Sequence, residues 1–209
     1  MTNSTTITTI TTNQRLGRRL ILVLALGVVA ALMAAPASGS AATTFGAKLN
    51  KHIQPSNSQP AQPCTMPAQS CTRIEMDAYN DAGHERAPKD GVIKKVKLIA
   101  GGPGHFKLQI AEAKPGKDKG RVVRNGPRID YNGQSNPSSL TYDVESFPVH
   151  VPVEKGQYLA ISAKKTSMLR CSSGGPNQFL FTPALSPGGP FQTLSYTDGC
   201  WLLLEAVYQ

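Results

Sequence analysis

Gly91-Val92-Ile93-Lys94-Lys95-Val96-Lys97-Leu98-Ile99-Ala100, Gly101-Gly102-Pro103-Gly104 and His105-Phe106-Lys107-Leu108-Gln109-Ile110-Ala111-Glu112 form the stretch that decides the fold class. In the first run Val92, Lys94, Val96, Leu98 and Ala100 alternate with Ile93, Lys95, Lys97 and Ile99. In the last, Phe106, Leu108, Ile110 and Glu112 alternate with Lys107, Gln109 and Ala111. A period of two places alternate side chains on opposite faces of a strand. The Gly-Pro-rich break between the two runs predicts a hairpin.

Working outward, the same pattern recurs in short pieces. Thr72 to Ala78 sets Ile74, Met76 and Ala78 against Arg73, Glu75 and Asp77. This predicts a half-buried strand whose acids face solvent. Leu140 to Val153 and Tyr158 to Ala163 are further strands, parted by the turn Glu154-Lys155-Gly156-Gln157. Gln178 to Thr182 and Phe191 to Tyr196 flank a loop holding Pro183, Pro187, Gly188, Gly189 and Pro190. Trp201 to Tyr208 is the most apolar run and predicts a central strand buried on both sides. No segment after residue 43 carries a sustained helical stripe, and the spacing of Gly and Pro argues against a long helix. The expectation is an all-β fold, a jelly-roll-like antiparallel β-sandwich of about eight to ten strands over residues 71–209.

Two segments precede it. Residues 1–41 carry Arg15, Arg18 and Arg19, then sixteen apolar residues from Leu20 to Ala35, then small residues. These are the three parts of a signal peptide. Arginines stay on the inner side while the apolar run enters the membrane. The run is shorter than the ~20 residues a spanning helix needs, which favours a cleaved leader over an anchor. Membrane contact is expected only through this leader, if it stays uncleaved. Residues 42–70, rich in Gln, Pro, Ser and Asn in their middle, predict a flexible linker with too little apolar surface to offset its ordering entropy.

The leader holds three of the 22 basic residues and none of the 13 acidic ones, so the remainder keeps a net charge of +6. That suits anionic extracellular polymers. By itself it is no nucleic-acid signature, and no nucleic acid is expected as a partner. All four cysteines, Cys64, Cys71, Cys171 and Cys200, lie beyond the leader. An even count in an oxidising compartment predicts two disulfides. Three pairings exist; Cys64–Cys71 with Cys171–Cys200 closes the shortest loops. The spacings do not match a zinc site.

Chemistry-bearing constellations are sparse. There is no Gly-x-Ser-x-Gly elbow after the leader. His52, His84, His105 and His150 are scattered, and Gly101–Gly104 lacks the Gly-Lys-Ser/Thr of a phosphate loop. Asp77, Asn80, Asp81 and Glu85 bunch as oxygen donors without calcium-loop spacing. No catalytic residue, metal or cofactor is therefore expected. Lys114, Lys117, Lys119 and Arg121 cluster in a turn and are the candidate polyanion contacts, against the plainer reading of a solvated edge. Tyr79 and Tyr131 are candidate stacking platforms for a sugar; Trp201, beside Cys200 and a leucine run, reads as core packing.

The run Phe147-Pro148-Val149-His150-Val151-Pro152-Val153-Glu154-Lys155-Gly156-Gln157-Tyr158-Leu159-Ala160-Ile161 resembles a valine-rich strand and turn of uncharacterised secreted β-sandwich proteins of soil actinobacteria. The closing strand Cys200 to Val207 is similar to their last one. Gln157 and Ala160 stand where Asp and Gly are common in that group. The resemblance implies the sandwich fold and no activity. Three functions follow as expectations: a non-catalytic module binding extracellular carbohydrate or anionic cell-wall polymer, a structural or surface-interaction protein, or an extracellular hydrolase assembled from distant loops.

Overall fold

The computed structural model describes residues 43–49, 64, 70–79, 81–133, 143–164, 169–171 and 177–209. The expected leader lies outside them, as does most of the expected linker. The chain forms β1 (Thr43–Gly46), β2 (Cys71–Glu75), β3 (Gly91–Leu98), β4 (Gly104–Lys114), β5 (Lys119–Tyr131), β6 (Glu145–Val153) and β7 (Tyr158–Ala163). It continues through β8 (Leu169–Cys171), β9 (Gln178–Phe181), β10 (Gln192–Thr193), β11 (Tyr196–Asp198), β12 (Cys200–Leu202) and β13 (Leu204–Tyr208). The only helical piece among the described residues is one 3₁₀ turn, Pro115–Lys117.

Two antiparallel sheets carry the fold. The first has the order β1-β13-β3-β6, and the second, which curls, has β10-β5-β4-β7-β2-β9-β11. Successive strands switch sheets: β2 lies in the second, β3 in the first, β4 and β5 in the second, β6 in the first, β7 in the second. This wrapping makes the sandwich jelly-roll-like. Between the sheets Phe106, Leu108 and Ile110 of β4 and Leu159 and Ile161 of β7 join one core with Ile93, Val96 and Leu98 of β3 and Leu204, Ala206 and Tyr208 of β13. A second cluster, Ile74, Ala111, Val122, Tyr158, Ala160, Phe179, Phe181 and Leu185, fills the other side of the curled sheet.

The hairpin expected across Gly101–Gly104 is absent. β3 pairs with β13 and β6, and β4 pairs with β5 and β7. The Gly-Pro break is where the chain crosses from one sheet to the other. Alternation reports which residues share a face, and it fits a strand facing its successor across a core as well as one beside it. A bulge between Ile93 and Lys95 also shifts the pattern, so Ile93, Val96 and Leu98 share the core face. The true hairpin is β4–β5, closed by the 3₁₀ turn with Asp118 at φ 49°.

Trp201 to Tyr208 does hold a central strand, since β13 lies between β1 and β3. The run breaks at Leu203, however, and β12 pairs separately with β8. Edge strand β6 carries Pro148 and Pro152, residues that cannot donate to another chain. The Pro152 carbonyl accepts a hydrogen bond from Arg124 Nη1 of β5 at 2.7 Å, which closes the gap between the sheets there.

Thr43–Gly46 falls inside the stretch expected as linker and is instead an edge strand, paired with β13 from Thr43↔Tyr208 to Gly46↔Glu205. Phe45 anchors it, buried edge-on against Tyr208 with ring centroids 5.5 Å apart. One buried aromatic outweighs a polar composition that, averaged over the segment, predicts no order.

Cys64 and Cys71 form a disulfide with a Cα–Cα distance of 5.5 Å. Cys200 is also disulfide-bonded, and its register partner across β12 and β8 is Cys171. Such bonds fit an oxidising compartment. A short loop of this kind constrains the unfolded chain by about 2–3 kcal/mol. The double variant C64S/C71S should therefore unfold at a lower urea midpoint with a slope equal to or slightly steeper than the wild type's; an unchanged midpoint would contradict a stabilising role. No helix among the described residues is long and apolar enough to cross a membrane.

Candidate functional site

The expected polyanion contacts come together at the closed end of the β4–β5 hairpin. Lys114 ends β4, Lys117 sits in the 3₁₀ turn, and Lys119 opens β5 directly opposite Lys114. All three are exposed. Arg121 pairs in register with Glu112 and bonds it, Nη2 to Oε2, at 2.7 Å. Asp118, between the lysines, turns through a left-handed conformation and its carbonyl accepts the Leu194 N–H.

What the sequence did not reveal is an aromatic ring between the cations. The loop after β9 folds back along β5: Gly188 N–H donates to the Val122 carbonyl, and β10 pairs Gln192 with Gly120 and Thr193 with Lys119. This brings Phe191 against the hairpin. Lys114 Nζ lies 4.0 Å from its ring centroid and Arg121 Cζ 4.7 Å. The negative face of a π-system attracts cations. Phe191 thus holds two like charges together that would otherwise spread apart. It sits in a Pro/Gly-rich loop distant in sequence, so only the pairing of β10 with β5 could have signalled it.

Among the other basic residues of this hairpin, Arg128 is neutralised, Arg124 donates through Nη1 to the Pro152 carbonyl, and Lys107 makes no ion pair with a described residue. Arg128 bonds Asp130 through Nη2 at 2.8 Å, and that hydrogen bond holds the Asp130 carboxyl below its usual range. Among the described residues, no ion pair engages Lys114, Lys117 or Lys119.

The two tyrosines part company. Tyr131 is only 4% exposed, packs against Phe106 with centroids 6.0 Å apart, and belongs to the main core. The turn-like Asp130-Tyr131-Asn132-Gly133 does not present it outward, because Tyr131 still belongs to β5 and faces the interior; it is no stacking platform. Tyr79 is half-buried and meets Trp201 edge-on at 5.3 Å. Trp201 is half-buried too, and its Nε1–H donates to Asp77 Oδ2 at 3.1 Å, so it forms a surface corner with Tyr79 in place of the core packing expected for it.

The charged side chains of β2, expected on the solvent side, are buried, while Asp77 beyond its end is half-buried. Arg73 is 1% exposed and Glu75 0%. β2 is an interior strand between β7 and β9, with the first sheet over one face and the 183–194 loop near the other. Arg73 Nη1 donates to Asp198 Oδ2 at 2.8 Å and to Gln178 Oε1 at 3.0 Å. Neither oxygen of Glu75 has a hydrogen-bond partner among the described residues. Burial first, then the charges of Asp77 and Glu85, push its carboxyl well above the ordinary 4.5. Among the described residues no three acids, histidines or cysteines are placed to hold a metal ion. His84 pairs with Asp81 at 3.0 Å and His150 lies 3.4 Å from Lys94, both in the open, while His52 falls outside the described residues. No known protein family, curated protein or solved structure matches this chain.

Proposed function

We propose that the chain is exported and acts outside the membrane as a non-catalytic β-sandwich module, binding an anionic extracellular polymer through the closed end of the β4–β5 hairpin. The observation that carries this reading is the clamp of Lys114 and Arg121 over Phe191, with Lys117 and Lys119 beside it and unpaired. Clustered cations on a rigid hairpin attract a chain of negative groups, and holding them together before binding lowers the ordering cost. The leader expected from residues 1–41 and the disulfide Cys64–Cys71 support an extracellular setting. The hydrolase reading lacks support, since Glu75, the acid with a raised proton affinity, is sealed from any substrate.

The test is co-sedimentation of the full chain with a poly(glycerol phosphate) and with a neutral glucan, at two salt concentrations. The anionic polymer should be retained at low salt and released as salt rises. The triple variant K114A/K119A/R121A should bind roughly ten- to a hundredfold more weakly, from about 0.5–1 kcal/mol for each of the three screened contacts. Equal retention of the glucan, or unchanged binding by the variant, would contradict the proposal.

A further inference from the structure

Glu75 is unused by the polymer clamp, and its surroundings form a device of their own. Gly46, the last residue of β1, stands directly over it. A Cβ at Gly46 would lie 3.4 Å from Glu75 Oε2, 2.7 Å from Leu159 Cδ1 and 2.5 Å from the Leu204 carbonyl oxygen. Its φ of +92° is one that glycine adopts readily. From Gly46 the chain runs as a strap across Tyr79 and His84. Gly46 N–H donates to the His84 carbonyl at 2.8 Å, Ala47 N–H to Leu204 at 2.9 Å and Lys48 N–H to Tyr79 at 2.9 Å. Leu49 N–H donates to Glu205 Oε2 at 3.2 Å, and its side chain packs against Ile99 and Leu203.

The charges around Glu75 are unfavourable to an anion. On its own strand, Arg73 is committed to Asp198 and Gln178. Asp77 follows it, hydrogen-bonded to Trp201. Glu85 is paired with Arg86 at 3.2 Å, and Asp81 with His84. From β9 its register partner is the neutral Gln178, whose Nε2 is also buried without a partner. β7 presents Leu159, and β1 has no titratable group. On β13, Glu205 is bonded to Lys97 and alternates with the core residues Leu204 and Ala206, which puts it on the opposite face. The nearby cations Arg73, Arg86 and Lys97 are each paired with another acid, and Lys48 of the strap is exposed to solvent, where its charge is screened from Glu75.

We propose that Glu75 is a proton-operated latch for the strap Gly46–Leu49. With the acid neutral, the strap seats over it. With the proton lost, a third negative charge joins Asp77 and Glu85 beneath the strap, and the strap releases, uncovering Ile99, Leu203 and the Tyr79–Trp201 corner. The direction in pH follows from where the proton binds more tightly. The folded chain holds it above the ordinary 4.5, so the stabilisation is complete below that value and is lost as pH rises through the raised folded-state value. The latch is closed in acid and opens toward alkali.

Hydrogen exchange of the full chain, converted to protection factors, tests this from about pH 5 to about pH 9. Amides of residues 43–49 should lose at least tenfold in protection across that range while those of β4 and β7 hold. The emission of Trp201, the single tryptophan, should change over the same interval. In E75Q both should stay flat. Constant protection in the wild type, the same loss in E75Q, or equal loss in every strand would overturn the latch. Should E75Q fail to fold, carbon NMR of the wild-type Glu75 carboxyl decides: ionisation in the ordinary range with the strap still protected overturns it, and ionisation coincident with strap release supports it.

Discussion

Replacing Arg73 by leucine should destabilise the fold by about 3–5 kcal/mol, because it breaks a buried ion pair from one side only. The arginine is 1% exposed and Asp198 is mostly buried. Its loss strands the Asp198 carboxylate and the Gln178 side-chain oxygen together. Asp198 also accepts the Cys200 N–H through Oδ1 at 2.9 Å, and its carbonyl accepts the Asn177 N–H at 3.0 Å. The damage therefore reaches the β9, β11 and β12 region as well as β2. In thermal unfolding the expected fall is roughly 10 °C, at about 2–4 °C per kcal/mol for a chain of this size. The double variant R73L/D198N should recover much of the loss, since the amide has no charge left to strand and keeps an oxygen for Cys200. A single variant as stable as the wild type would show that the pair is dispensable.

The second large effect is expected at Gly46. Alanine there meets a positive φ, costing about 1–2 kcal/mol, and a backbone carbonyl at 2.5 Å that cannot turn aside. Overpacking adds about 1–3 kcal/mol more. β1 is an edge strand joined only to β13, so the least costly response is to release it and leave the sandwich standing. The loss in global stability is then limited to what β1 contributes, including the burial of Phe45, about 1.5–3 kcal/mol. G46A should show exchange of residues 43–49 near the unprotected rate at every pH, with β4 and β7 protected. Retained protection in β1 would mean that the strand tolerates a Cβ, and that the close approach to Glu75 is not a real constraint.

Much of this architecture is legible in the sequence. Period-two alternation names β3, β4, β6 and β7, and the apolar run after Cys200 marks the central strand; β5, the longest, runs unbroken through Asn125-Gly126-Pro127, which in sequence reads as a break. The turn at Lys114–Lys119 is also readable, and with it the cluster of cations. What alternation leaves open is which faces are covered. Arg73 and Glu75 look like the wet side of a strand until β7 and β9 flank β2 and a sheet closes over it. Tyr131 looks like a turn residue until β5 is seen to run through it. The Gly101–Gly104 break is as compatible with a crossing between sheets as with a hairpin, because both need a sharp change of direction. Phe191 and β1 depend on pairings between segments far apart in the chain, which no local pattern carries.

The central claim is that the hairpin end is where the chain meets an anionic partner. Amide chemical-shift mapping of the full chain, titrated with poly(glycerol phosphate) at low salt, tests it most directly. Shifts should concentrate at residues 112–124 and 187–194 and disappear as salt is raised. Shifts centred on the Tyr79–Trp201 corner, or spread evenly over the lysines of β3 and the loops, would contradict it.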